Sequence, residues 1–268
     1  MRRDGARFGQ NFLIDRGVIR RIIEAVQPTR EELILEIGPG SGALTSRLVE
    51  TAGHVIAIEL DRRLIPHLTR TFVGVRNLTL LEDDALSAKF CDIIYPTRSA
   101  RVVANLPYNV ATAILQRLID HRRCLTEFVL VIQSEMATRI SATPGSKSRS
   151  FISVFVEAYC QISSLFEVHP NASSPRPKVW SSVVRVTPRQ SPLVGTSESV
   201  LWEVVKAGFA HRRKTMLNNL RGAPPSLQAR IASSGGPARL LHDAEIAEAR
   251  RAETLTLDEW IRITDVLR

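Results

Sequence analysis

Five short apolar runs, LILEI (33–37), HVIAIEL (54–60), LTLLE (78–82), RVVAN (101–105) and FVLVIQ (128–133), are separated by helix-like stretches such as 42–51, 61–72 and 109–120. Runs that are continuously apolar, without polar alternation, belong to strands buried on both faces. Parallel strands need crossover helices to join them, so the pattern predicts a mostly parallel sheet covered by helices. An amphipathic helix is expected ahead of it, over GVIRRIIEAV (17–26). The Val-, Ile- and Phe-rich segments 152–162 and 178–187 read as two further strands, an antiparallel hairpin closing the sheet. TPRQSPLVGTSES (187–199) reads as a linker, and helical patterns follow at 198–210, 212–221, 225–233 and 256–267. The expected organisation is an α/β domain over 1–192 and a small helical domain over 193–268.

Lys and Arg number 36 against 27 Asp and Glu, a net charge of +9. That excess suits a polyanionic partner such as nucleic acid, although a basic surface also simply keeps a protein soluble. Cys91, Cys124 and Cys160 form no CxxC pair, so they are expected to be reduced and mostly buried, in an intracellular, cytoplasmic protein without a metal site. Near the N-terminus, the apolar residues are interrupted by Asp15, Arg16, Arg20 and Arg21, which fits neither a signal peptide nor a membrane span.

LEIGPGSGALT (35–45) follows a strand and opens a helix, and its glycines Gly38, Gly40 and Gly42 permit a tight turn against a ligand. Glu59 ends the next strand, where a carboxylate can accept from both hydroxyls of a ribose. Gly38-x-Gly40-x-x-Ala43 imitates a dinucleotide fingerprint, but Glu36 ahead of the loop would repel a pyrophosphate. Glu36 suits a cation instead, such as the amino group of a methionine moiety, and Asp84 after the third strand suits an adenine amino group. S-adenosylmethionine is therefore favoured over NAD.

The fourth apolar run ends in Asn105, Leu106, Pro107 and Tyr108. The exocyclic amine of adenine is a poor nucleophile, because its lone pair is delocalised into the ring. The Asn105 side-chain oxygen and the Leu106 carbonyl, held by Pro107, can accept its N–H groups and let the nitrogen become tetrahedral. Tyr108 offers a ring on which an extracted base stacks. A strand end with a capping Asn and a buried Tyr would use the same residues.

Several segments, in order, resemble the KsgA/Dim-type adenine N6,N6-dimethyltransferases of small-subunit ribosomal RNA: FGQNFLID (8–15), EIGPGSGALT (36–45), DAL (84–86), NLPYN (105–109), ATPGSK (142–147), PRPKV (175–179) and RRKTMLNNL (212–220). The resemblance implies a Rossmann-like S-adenosylmethionine-dependent methyltransferase domain with a small C-terminal helical domain. It implies that Asn11, Leu13, Gly38, Glu59, Asp84 and Asn105 line the S-adenosylmethionine site and that Asn105 through Tyr108 hold the target base. The implied activity is dimethylation of two adjacent adenines near the 3′ end of the RNA, in an assembling small subunit; the protein is expected to be a monomer. Three departures stand out: Ser173 where the family has a Phe facing the target adenine, Trp180 where it has Asp, and Arg149 where an aromatic is common. Ser173 keeps open an RNA-binding assembly factor with weak or no methylation. A large-subunit RNA dimethyltransferase and a small-molecule methyltransferase also stay open, the latter disfavoured by the charge and the helical tail.

Arg212, Arg213 and Lys214 are expected at one helix start. Cations are disfavoured there by the helix dipole, which makes phosphate contact attractive, with a solvated face as the competing explanation.

Overall fold

The computed structural model describes residues 11–194 and 198–268. Residues 8–10 of FGQNFLID and 195–197 of the expected linker lie outside the described residues. The chain runs β1 (Phe12–Leu13), α1 (Arg16–Val26), β2 (Leu33–Ile37), α2 (Thr45–Thr51), β3 (His54–Glu59), α3 (Ile65–Thr71), β4 (Leu78–Glu82) and α4 (Phe90–Ile93). It continues through β5 (Ala100–Asn105), α5 (Ala111–Asp120), β6 (Leu125–Gln133), α6 (Ser134–Ile140), α7 (Phe151–Tyr159), β7 (Cys160–Val168), β8 (Ser173–Ser174) and β9 (Ser181–Pro188). Five helices follow: α8 (Glu198–Gly208), α9 (Met216–Arg221), α10 (Pro225–Ser233), α11 (Pro237–Asp243) and α12 (Leu257–Val266).

Seven strands form one sheet in the order β4-β3-β2-β5-β6-β9-β7. The pairs β3/β4, β2/β3, β2/β5 and β5/β6 are parallel, and β9 runs antiparallel to β6. Every residue of LILEI is buried, as a strand at the centre of a doubly covered sheet requires. Strand order reverses beside β2, between β3 and β5, which opens a crevice at the carboxyl ends of β2 and β5. Asp15 caps α1, its Oδ1 accepting from Gly17 N at 2.8 Å and Val18 N at 3.0 Å. Among the described residues, no helix is long and apolar enough to cross a membrane.

The chain divides into two compact units. One runs to Ala137 and resumes over Gln161–Pro188; the other takes Thr138–Cys160 together with Arg189–Arg268. Residues 138–160 thus group with the C-terminal helices, where the sequence placed them with the α/β part. The segment 152–162, expected as a strand, is mostly helix α7. Ser150 caps it in a capping box with Ser153, and its rings pack on Trp202 of α8: Phe155 at 5.1 Å, Tyr159 at 5.7 Å and Phe151 at 5.8 Å between centroids. Tyr159 donates its hydroxyl to Glu198 at 2.8 Å and accepts from Trp202 Nε1 at 3.0 Å. β-Branched residues suit a strand by propensity, but burial of nearly every face of this helix overrides that preference. Arg149, one of the departures, is almost fully buried beside α7, with Nη2 2.7 Å from Glu157 Oε2 and Nη1 2.8 Å from the Ala142 carbonyl.

Two further expectations are corrected. Cys91 and Cys124 form a disulfide, and Cys160 is buried outside it. The Cα atoms of the bonded pair are 5.7 Å apart although they are 33 positions apart in the chain, a proximity that spacing could not reveal. The cysteine pattern therefore carries no inference about compartment. Helix α9 begins at Met216 behind the N-cap Thr215, so Arg212, Arg213 and Lys214 lie in the turn ahead of it rather than in its first turn.

Candidate active site

Three connected cavities open at the carboxyl ends of β2, β3, β4 and β5, all within the first unit. The largest is lined by Gly38, Glu59, Leu60, Asp84, Leu86 and Pro107, among others. A second is lined by Asn11, Phe12, Gly38, Gly40 and Asn105 through Tyr108. The third adds Leu13, Glu36 and Ala43. Gly38 belongs to all three, so they form one cleft.

The β2–α2 loop makes this crevice possible. Gly38, Gly40 and Gly42 have φ of 71°, 59° and 84°, a region that side-chain-bearing residues enter only with strain. A Cβ at Gly40 would lie 2.7 Å from the Phe12 ring. The loop is tied to Glu59, whose Oε2 accepts from Gly40 N at 3.1 Å and whose Oε1 accepts from Asp61 N at 2.9 Å. These two amides fix the direction of the carboxylate at the wall of the large cavity. Burial raises the Glu59 pKa, against the opposing pull of those hydrogen bonds. In the lining of the same cavity, Asp84 Oδ1 accepts from Leu86 N at 2.9 Å, which orients its other oxygen.

Glu36 is 1% exposed. Burial pushes its carboxyl up to about 7, and the charge of Glu59 adds to the rise. Thr45 tempers it only in poor geometry, since Glu36 Oε2 and Thr45 Oγ1 are both buried without a hydrogen-bond partner. A buried carboxylate oxygen with no partner is costly unless something cationic meets it. Three carboxylates in one cleft, all hydrogen-bond acceptors, fit the ammonium, hydroxyl and amine groups that S-adenosylmethionine carries.

Asn105 ends β5 beside Gly38. Its Nδ2 donates to the Asn11 carbonyl at 2.7 Å, which turns Oδ1 away from that bond as an acceptor. Leu106 N donates to the Val131 carbonyl at 3.1 Å, so β6 holds the turn in place. The Tyr108 and Ser181 hydroxyls are 2.8 Å apart, an anchor from β9 on the ring.

The cleft brings together Asn11, Leu13, Glu36, Gly38, Gly40, Glu59, Asp84 and Asn105 through Tyr108. Arg212, Arg213 and Lys214 are exposed in the second unit and line none of the three cavities. Sequence reasoning missed Phe12 and Ser181. Phe12 lies between two residues already singled out, but its approach to Gly40, far along the chain, had no local signal. Ser181 gave none, because only the sheet order brings β9 to Tyr108.

The model of the family described as ribosomal RNA adenine dimethylase matches residues 2–263. The ribosomal RNA small subunit methyltransferase A of Geobacter sulfurreducens is 41% identical, over 98% of this chain and 96% of its own length. That of Saccharophagus degradans is 38% identical, over 97% and 93%. The crystal structure of a dimethyladenosine transferase from Plasmodium falciparum superposes with a TM-score of 0.78 at 24% identity, covering 94% of this chain and 95% of that one. The structure of the 23S rRNA methyltransferase ErmE does so with 0.69 at 25%, covering 96% and 99%. With its glycine loop, its acidic strand ends and the Asn105–Tyr108 turn in one cleft, the chain belongs to the ribosomal RNA adenine dimethylase family.

Proposed function

We propose that this protein dimethylates N6 of two adjacent adenines near the 3′ end of small-subunit ribosomal RNA, using S-adenosylmethionine. The observation that carries the reading is the Asn105 amide, whose Nδ2 is spent on the Asn11 carbonyl so that Oδ1 is left to accept. Asn105 Oδ1 and the Leu106 carbonyl take the two N–H groups of the target amine, which frees its lone pair from the ring. S-adenosylmethionine, when bound, supplies a methyl group on a cationic sulfonium, a good leaving group. The protein then has to align the two reactants and needs no strong base before attack. The base stacks on Tyr108, kept in place by Ser181, and Glu36, Glu59 and Asp84 hold the cofactor. Arg212, Arg213 and Lys214 contact phosphates. The enzyme acts as a cytoplasmic monomer on an assembling small subunit.

The test is methylation of unmethylated small subunits with labelled S-adenosylmethionine, followed by mapping of the label. Tyr108→Ala nearly eliminates single-turnover transfer without changing cofactor affinity. Ser173 pairs with Leu13 across β1 and β8, where the resemblance implies a phenylalanine. Ser173→Phe therefore raises turnover, by no more than the roughly 5- to 150-fold that one stacking face is worth. Absence of label with both wild type and Ser173→Phe assigns the chain to RNA binding without methyl transfer.

A further inference from the structure

The segment between β8 and β9 carries an aromatic ring that the cleft does not use. Trp180 is 47% exposed and Val179 beside it 45%. The Trp180 ring is nevertheless held: it stands edge-on to His169, with centroids 4.9 Å apart and planes at 82°. Its carbonyl accepts from Ser134 N at 3.1 Å. The very next residue, Ser181, meets the Tyr108 hydroxyl, so Trp180 sits at the rim of the base-holding turn. It does not line the cavity that contains Asn105 and Tyr108.

An adenine drawn out of an RNA strand leaves its neighbour without a stacking partner. A ring at the rim can replace that partner, and every base has a face to offer it. Arg176 and Lys178 are exposed on the same segment, which adds positive charge where the backbone phosphates of such a neighbour would pass. The apolar patch of one Trp and one Val is small for a protein interface but sufficient for one base. We propose that Trp180, steadied by His169, is a stacking platform for the unpaired nucleotide next to the target adenine, with Arg176 and Lys178 taking its phosphates. The inference rests on the RNA-methylating reading of the cleft.

The chain has three tryptophans: Trp260 is fully buried, and Trp202 is partly buried in the α7–α8 cluster. The part of the fluorescence quenching by a single-stranded RNA oligonucleotide with two adjacent adenines that disappears in Trp180→Phe reports on Trp180. The expected result is quenching in wild type and its loss in Trp180→Phe. Trp180→Ala raises KM for unmethylated subunits roughly 5- to 150-fold with little change in kcat. Trp180→Phe recovers most of that loss, and neither variant changes affinity for S-adenosylmethionine. An unchanged KM in Trp180→Ala, or an oligonucleotide that leaves the fluorescence unaltered, overturns the platform. Quenching by intact subunits alone overturns it in favour of a ribosomal protein. Quenching by the oligonucleotide with no label transferred to RNA overturns the methylating reading instead and leaves Trp180 as an RNA contact.

Discussion

Glu36 has a carboxyl sealed in the sheet beside a glycine loop, with one oxygen left without a partner. Its pKa rises from the usual 4.5 to about 7, chiefly through burial. A carboxyl raised in the folded state binds its proton more tightly there than in the unfolded chain. Its contribution to stability is thus complete below about 4.5 and is lost as pH rises through about 7. That gap corresponds to about 3 kcal/mol. In urea unfolding without ligand, Glu36→Gln should match wild type at about pH 4, below the unfolded value, and exceed it by up to about 3 kcal/mol at pH 8. S-adenosylmethionine should close the difference at pH 8, because its ammonium group stabilises the ionised carboxylate. Parallel pH profiles for the two proteins would remove the reason for pairing Glu36 with a cation. The presence of an acid at this position was legible in the sequence; its missing partner was not, because that depends on what α2 brings near it.

At the scale of elements, the β2–α2 loop and the short pair β1/β8 work together. Phe12, on β1, lies against the face of Gly40 where a side chain would start. Gly40→Ala therefore combines a left-handed backbone with a collision, and the loop or the ring must move. Affinity for S-adenosylmethionine should fall tenfold or more, measured by calorimetry. Gly74→Ala is the control: its φ is also positive, at 82°, but no atom lies within 4 Å of the new Cβ. It should cost about 1–2 kcal/mol of stability and leave cofactor affinity unchanged. Equal losses of affinity in both variants would mean that backbone strain, not the Phe12 contact, shapes the site. Helix α2 shows the same loop at work, since it begins at Thr45 and not at 42 as periodicity suggested.

Over the whole molecule, a net charge of +9 predicts RNA association that weakens steeply with salt. Each phosphate contact contributes about 0.9 to the slope of log K against log salt on a duplex and about 0.7 on a single strand. Replacing Arg212, Arg213 and Lys214 with Ala should flatten that slope by about 2–3. Filter binding between 50 and 200 mM salt, roughly the range over which such contacts are lost, is the measurement. An unaltered slope would return the three cations to the solvent. Arg212 already donates to the Lys147 carbonyl, which fixes part of this turn before any RNA arrives.

LILEI and LTLLE are strands over the same residues that their apolar runs predicted, and 225–233 is a helix with the bounds that its breakers suggested. Local pattern suffices there, because strands buried on both faces and helices between prolines or glycines announce themselves in neighbouring residues. The glycine turn, the acids at strand ends and the NLPY turn were equally legible, since each lies at the end of such a run. FISVFVEAY was not. Its residues favour a strand by propensity, and only packing against Trp202 and the other C-terminal helices makes it α7. The Cys91–Cys124 bond, the Asn11 carbonyl that orients Asn105 and the Ser181 hydroxyl on Tyr108 were also decided by tertiary structure. Each joins residues dozens of positions apart, and their meeting depends on strand order and chain path, which no local periodicity encodes.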